Sequence, residues 1–248
     1  MNRILLFLCA ATFMILPASV AGIRDENLEN GIREFLKYQT NDATGLVDSF
    51  INTTDELLVN QASTYDQALA GLAFLQLKEY HRAKQILLFF RNHWSDNGLC
   101  NFYDTDSGTC GVETTVHLSP NAWVGILALW YGRETGDESF YPFARDIGIW
   151  VTKLPRHRGG LAMGPVEDWG GPWPQVVSSE NNLVAYALLR GLDERERDPA
   201  IQKRFIDERL GIIRFLYEEI IRRDGKGRLS EISVGYNVSK GGFAGRSL

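Results

Sequence analysis

Two acidic residues stand immediately before strongly apolar segments and could together carry out acid–base chemistry. Asp66 lies in the run 64–70 and Glu180 in the run 179–186. Cleavage of a glycosidic bond needs one carboxylic acid to protonate the leaving oxygen and one carboxylate as base or nucleophile. Asp66 and Glu180 are our candidates for this pair, with helix N-capping as their alternative role. Asp48 is a third candidate catalytic acid, with a surface turn as its alternative.

Residues that could bind a sugar accompany these acids. Aromatic faces pack on the apolar faces of sugar rings, while amide and imidazole groups bond to hydroxyls. Apolar neighbours favour a core position for Trp123, and His117 has an ordinary loop role as its alternative. Gly and Pro residues hold Trp169 and Trp173 outside any helix, which favours a binding loop. The candidate substrate-binding residues are Tyr65, Gln67, His117, Asn121, Trp123, Trp169, Trp173, Asn181 and Asn182.

A sequence repeat positions these side chains. Placing Gly71, Gly125 and Ala185 in register aligns three segments that are apolar nearly all round, which is typical of buried helices. In this register Asp66, Pro120 and Glu180 are equivalent. An amphipathic segment and then a Gly-containing loop follow each buried segment; the amphipathic segments are His81–Trp94, Phe140–Val151 and Ile201–Ile220.

The alternation of buried and amphipathic segments predicts an all-α fold of helical hairpins in two concentric layers. A further helix near Asn27–Gln39 brings the expected number to about seven. A tetratricopeptide array is the competing architecture, but its repeat of about 34 residues is shorter and has two amphipathic helices. Long polar loops between the hairpins also favour a scaffold that carries a site on its loops.

The motifs around the acids resemble those of the six-hairpin glycosidase superfamily, whose members form an (α/α)6 toroid. The matching runs are Thr64–Ala70, His117–Trp123 and Ser179–Tyr186, and the resemblance covers about residues 32–240. Ser119 replaces the usual Gly, and Asn181 and Val184 stand where related secreted proteins carry His and Asp. The superfamily includes glycoside hydrolases, polysaccharide lyases, epimerases and members without known activity.

The resemblance implies an incomplete toroid, because about seven helices are fewer than the twelve of a full one. The run Lys240–Leu248 has no helical pattern. We therefore expect residues 22–248 to form one toroid-like domain that is truncated at its C-terminal side. An open arc would expose two apolar edges.

Residues 1–21 predict a cleavable secretory signal, with Arg3, an apolar run, and small residues at Ser19 and Ala21. An uncleaved N-terminal anchor is the alternative. No later run is apolar enough to span a membrane, so we expect a secreted or periplasmic protein. In an oxidising compartment, Cys100 and Cys110 in their polar loop predict a disulfide, with free thiols as the alternative.

These observations favour a carbohydrate-active protein, and most directly a glycoside hydrolase that acts on an oligo- or polysaccharide. A lyase remains open, as do a non-catalytic carbohydrate-binding or envelope scaffold and a protein-binding solenoid. Among the 248 residues the net charge of −5, without any basic stripe, argues against nucleic acid as a partner. No metal or other cofactor is expected, and the sequence leaves the oligomeric state open.

Overall fold

The computed structural model describes residues 25–166 and 171–247. The chain divides into two units, Met1–Phe35 and Leu36–Leu248, and helix α1 (Glu26–Gln39) crosses the boundary between them. The predicted signal sequence, residues 1–21, lies outside the described residues, and so does Trp169. The second unit contains every other candidate site residue.

The second unit is built around three helical hairpins. The first helix of each hairpin is largely buried, and the second is amphipathic with one face on the core. The inner helices are α2 (Thr64–Gln76), α4 (Leu118–Thr135) and α6 (Ser179–Asp193), and the outer helices are α3 (Tyr80–His93), α5 (Tyr141–Val151) and α7 (Pro199–Phe215). With α1, the described residues contain seven α-helices, which confirms the predicted fold class.

The inner helices run parallel and pack closely. A Cβ atom at Gly71 would lie 2.4 Å from Leu127, and one at Gly125 would lie 2.8 Å from Leu188. Glycine at these two positions therefore lets α2 approach α4, and α4 approach α6. All three inner helices begin at one end of the bundle, called the site end, and finish at the opposite end, called the far end.

Short antiparallel sheets tie the loops together, a feature that the helical periodicity does not predict. The pairs are β1 (Gln61–Ser63) with β2 (Phe102–Asp104), and β3 (Arg156–His157) with β4 (Gly160–Leu161). A third sheet has β7 (Leu229–Asn237) at its centre, bonded to β5 (Val176–Ser178), β6 (Ile221–Arg223) and β8 (Gly242–Ser247). The C-terminal run without helical periodicity is therefore largely strand.

The last amphipathic segment is shorter as an α-helix than its periodicity suggests. Helix α7 ends at Phe215, and the chain continues through a single π-helical turn, Leu216–Ile220, into β6. Phe215 and Ile220 pack with Val177 in a small separate core beneath the third sheet. Phe215 and Ile220 at the end of this segment thus serve the small core, whereas Leu216 packs against both this core and the main helical core.

The predicted disulfide is present between Cys100 and Cys110. It closes the loop that carries β2, and Cys100 also pairs through its backbone with Val116, close to the start of α4. The cross-link therefore fixes the loop that enters the second inner helix. No helix among the described residues is both long and apolar enough to cross a bilayer.

Candidate functional site

Three buried amide side chains hold the loops at the site end. The side chain of Gln67 bonds to both the N–H and the C=O of Val47, at 2.7 and 2.6 Å. Asn121 makes the same pair of bonds with Leu99, and Asn182 makes it with Leu161. Each inner helix thus clamps the backbone of the loop that precedes it, which satisfies peptide groups that would otherwise be buried without partners.

These clamps give Gln67, Asn121 and Asn182 a structural role. All three side chains are 0% exposed. Asn121 and Asn182 also donate to the carbonyl four residues earlier, at His117 and Ser178. The geometry does not support the predicted substrate contact by these three amides, because their polar groups already bond to the backbone in the protein interior.

The clamps also correct the register of the repeat. Gln67, Asn121 and Asn182 each stand four residues after an N-cap, at Ser63, His117 and Ser178 respectively. The third repeat is therefore shifted by one residue from the register that aligned Ala185 with Gly71 and Gly125. The structurally equivalent triplets at the helix starts are Tyr65, Ser119 and Glu180, followed by Asp66, Pro120 and Asn181.

Tyr65, Asp66, Glu180 and Trp123 come together at the site end. The Tyr65 ring meets the Trp123 ring edge to face, with centroids 6.0 Å apart. Burial raises the pKa of the Tyr65 hydroxyl to about 12, and the negative charges of Glu180 and Asp66 add to this shift. Both carboxylates therefore lie within electrostatic range of one phenol, which stays protonated and can donate a hydrogen bond.

The two carboxylates occupy different environments. Glu180 is half-buried in the first turn of α6, and burial raises its pKa because it disfavours the charged form. Asp66 is exposed in the first turn of α2. Neither residue is an N-cap, since Ser63 and Ser178 occupy those positions. One acid that tends to hold its proton and one that faces water thus both act on the Tyr65 hydroxyl, and their catalytic roles stay a prediction.

Two buried polar atoms adjoin this cluster. The Ser119 hydroxyl oxygen and the Trp123 indole nitrogen have no hydrogen-bond partner among the described residues. Their residues are 3% and 7% exposed, one turn apart on α4. A buried polar atom without a partner is costly, and it commonly marks a place where water or a ligand binds. In the sequence, Ser119 is noticed only because it replaces the Gly that is usual in the family motif. The corrected register makes it structurally equivalent to Tyr65 and Glu180.

Asn181 links two inner helices through its side-chain oxygen, which therefore does not face the cluster around Tyr65. Its Oδ1 accepts a 2.9 Å hydrogen bond from the backbone N–H of Ser119, and the residue is 5% exposed. The bond joins the first turn of α6 to that of α4. It satisfies one of the N–H groups that a helix leaves unpaired at its start.

His117 and Trp173 form a junction between the loop that leads into α4 and a short 3-10 turn, Trp173–Gln175, so Trp173 does not lie outside helical structure as the sequence predicts. The centroid of the His117 ring lies 4.8 Å from that of the Trp173 ring, and its Nε2 lies 3.2 Å from Glu113. Burial lowers the pKa of His117, although the nearby Glu113 carboxylate opposes the shift. These contacts join the two residues to each other and to a neighbouring loop acid, so their substrate contacts stay predictions.

Asp48 lies in the loop before β1, where its carboxylate accepts a 3.0 Å hydrogen bond from the backbone N–H of Phe50. This is the local turn that an Asp side chain commonly stabilises. Its backbone N–H bonds to the carbonyl of Gln39. These contacts support the turn role, and none of them joins Asp48 to the cluster around Tyr65.

Solved structures with this arrangement of helices were found by comparison of the folds. The unsaturated glucuronyl hydrolase of Bacillus sp. GL1, responsible for glycosaminoglycan degradation, matches with a TM-score of 0.64 at 13% identity over 88% of this chain and 61% of that one. D-mannose isomerase matches with a TM-score of 0.65 at 13% identity, over 83% and 55%. A family 8 endoglucanase from Klebsiella pneumoniae matches with a TM-score of 0.59 at 13% identity, over 88% and 66%.

These identities are low, so the likeness concerns the fold alone. No family model and no curated protein sequence matches the chain. The chain spans 62% and 61% of the length of two matched glucuronyl hydrolase structures. The predicted partial match to the six-hairpin toroid is thereby confirmed at the level of the fold.

Proposed function

The chain has the fold of the six-hairpin glycosidases, and on that basis we propose that it is a carbohydrate-active protein that hydrolyses glycosidic bonds in an oligo- or polysaccharide. The observation that carries the proposal is the cluster at the site end. A half-buried Glu180 and an exposed Asp66 both act on the Tyr65 hydroxyl, beside the aromatic face of Trp123. Glycoside hydrolysis uses two carboxylates in unlike environments, and aromatic rings pack on the apolar faces of sugars.

The environments of the two acids suggest their roles. Glu180, whose pKa burial raises, holds its proton and donates it to the glycosidic oxygen as the bond to the anomeric carbon breaks. Asp66, exposed and open to water, accepts a proton from the water whose oxygen bonds to the anomeric carbon, or attacks that carbon itself. Tyr65, on which both charges act, remains a neutral phenol and can donate to a sugar oxygen.

The test is a panel of defined glycans incubated with the wild-type protein and two isosteric variants. We expect Glu180→Gln and Asp66→Asn each to lower product formation by about 10²–10⁴-fold, the range of acid–base catalysis. Glu194→Gln is the matched control, because Glu194 is an exposed acid just after the other end of the same helix, paired with Arg190. Its activity should equal that of the wild type.

A folding readout separates lost chemistry from lost structure. Because burial raises the pKa of Glu180, its folded form binds a proton more readily than the unfolded chain. A charged Glu180 therefore destabilises the fold as the pH rises above 4.5, and Glu180→Gln should unfold at the same or a higher temperature at pH 7. Unchanged activity in both site variants would remove these assignments. Glycan binding without any product would favour the non-catalytic scaffold.

We also propose that the protein is exported to the periplasm or beyond the cell. The Cys100–Cys110 disulfide supports export, because such bonds persist mainly in oxidising compartments. Expression of the full chain should yield a protein that begins after residue 21, as judged by N-terminal sequencing of the exported fraction. An uncleaved chain that stays in the cytoplasm would contradict the proposal.

A further inference from the structure

A cleft of about 580 Å³, called the far-end cleft, lies at the far end of the bundle. The turn between α4 and α5, with the first turn of α5, forms one wall, and the turn between α6 and α7 forms the other. Its lining contains three arginines and two glutamates: Arg145, Arg195, Arg197, Glu138 and Glu196. The far-end cleft is therefore separate from the cluster around Tyr65, which lies at the opposite end of the inner helices.

Glu196 fixes the two walls of the far-end cleft to each other. Its side chain is 5% exposed. Its Oε2 accepts a 2.7 Å hydrogen bond from Nε of Arg145 on α5, and its Oε1 accepts one of 2.8 Å from the backbone N–H of Arg197. Both oxygens of this carboxylate thus have partners inside the protein, and Glu196 holds the Arg145 side chain beside the turn that carries Arg197.

Two of the arginines keep hydrogen-bond donors free for a ligand. A guanidinium group carries five N–H donors in a planar fork. Arg145 uses its Nε, and its two Nη groups make no hydrogen bond to the described residues. The Arg197 side chain makes neither a hydrogen bond nor an ion pair within the described part of the chain. Arg195 is different, because it bonds to Glu138 and lies over the Tyr141 ring.

The lining carries a net positive charge, because its three arginines outnumber its two glutamates. Asp146 follows Arg145 on α5 but does not line the cleft. Other acids of the two turns have partners elsewhere: Asp137 pairs with Lys84, Asp193 with Arg209 and Glu194 with Arg190, and Asp198 caps α7. An anion in the cleft would therefore meet an excess of guanidinium groups at short range.

We propose that the far-end cleft binds a small molecule through a carboxylate or phosphate group. The Nη groups of Arg145 and the guanidinium of Arg197 are available to this group, and the fork of an arginine matches the oxygens of either anion. Tyr141 and Pro142, which also line the cleft, offer apolar surface to the body of the molecule. The inference does not depend on the proposed function, because no residue of the cluster around Tyr65 takes part.

Titration calorimetry of the purified protein tests the proposal with three matched sugars. Glucuronate carries a carboxylate and glucose 6-phosphate carries a phosphate, whereas glucose has the same ring without a charge. We expect at least one of the two anions to bind, glucose not to bind, and added salt to weaken the binding. The anion that binds more tightly identifies the group that the cleft recognises. If neither anion binds, or if glucose binds equally well, the proposal is wrong.

Two arginine variants locate the bound anion. Arg197→Gln should weaken its binding by about three- to tenfold, because one charged partner is lost. Arg214→Gln is the matched control, since Arg214 is an exposed arginine in the last turn of α7, at the other end of that helix from Arg197. Its binding should equal that of the wild type. Equal losses in the two variants would place the anion outside the far-end cleft and overturn the proposal.

A glutamate variant tests the charge of the lining in the opposite direction. Glu138→Gln releases Arg195 from its ion pair and should strengthen binding of the anion by about two- to fivefold. Glu134→Gln, at an exposed position of the same turn outside the lining, should have a smaller effect. Equal strengthening in the two variants, or weaker binding in Glu138→Gln, would contradict the proposal. Thermal unfolding of each variant confirms that it is folded.

Discussion

At the site end, a long loop leads into each inner helix, and neutral amide side chains and a disulfide hold these loops in place. At the far end the connections are short turns, which ion pairs link to one another. Arg195 bonds to Glu138, and Arg145 lies 2.7 Å from Glu196. These side chains line the far-end cleft of about 580 Å³, together with Tyr141, Pro142 and Arg197. Both ends join the same helices; amides and a disulfide hold the loops at the site end, where the Arg156–Glu208 ion pair also ties the loop before α6 to α7, and ion pairs link the turns at the far end.

The difference shows that loops beside the candidate site can be held by groups that carry no charge. Amide clamps such as Asn121 hold the loop backbone and add no charge of their own. At the far end each of the two glutamates has a guanidinium partner, which neutralises it locally.

The largest expected effect tests the clamps. Asn121→Ala leaves the N–H and C=O of Leu99 buried without their partner, so we expect the free energy of unfolding to fall by about 2–4 kcal/mol in urea titrations. Asn97→Ala in the same loop is the matched control, since Asn97 is exposed, and it should cost less than about 0.5 kcal/mol. Equal losses in the two variants would mean that the clamp does not hold this loop.

A smaller effect is expected at the far end. Glu138→Gln removes the charge that pairs with Arg195, and exposed pairs of this kind contribute about 0.2–1 kcal/mol. The loss should vanish in about 1 M salt, where screening acts over about 3 Å. The loss in Asn121→Ala should persist at that salt concentration. If the two variants responded alike to salt, the contrast between the ends would be wrong.

The smallest effect concerns pH at the junction of His117 and Trp173. Burial lowers the pKa of His117 below 6.5, so the unfolded chain binds a proton that the folded chain resists. Stability should therefore fall as the pH drops below 6.5, and His117→Gln should lose that part of the dependence. His81→Gln, at an exposed position at the far end, should follow the wild type. Acid titrations of unfolding that coincide for all three proteins would contradict this assignment.

Periodicity and spacing predicted the helices and the disulfide. Apolar positions at helical spacing placed α3 and α5 to within a few residues, and two cysteines in a polar loop predicted their bond. These features depend on neighbours in sequence. The alternation of buried and amphipathic helices likewise reflects a local pattern, which is why the layered architecture could be predicted.

Long-range pairing accounts for the features that local patterns did not predict. Gln67, Asn121 and Asn182 resemble ligand-binding residues in type, and only their bonds to loop backbone reveal them as clamps. The sequence register aligns the small residues Gly71, Gly125 and Ala185. Small residues occur wherever two helices pack closely, so this alignment shifts the third repeat by one residue. The pairing of β5 with β7, for example Ser178 with Gly235, was missed because helices α6 and α7 separate the two strands in sequence.

The one-residue offset between the first and third repeats has a geometric consequence. Successive residues on an α-helix differ by about 100° in direction and about 1.5 Å in height. Asp66 follows Tyr65, whereas Glu180 occupies the position equivalent to Tyr65 itself, so the carboxyl groups leave their parallel helices at different azimuths and depths. Because the repeats are offset in this way, the same helical hairpin can supply two acids in different environments. One acid is exposed and the other is half-buried, although the backbone arrangement of the two helices is the same.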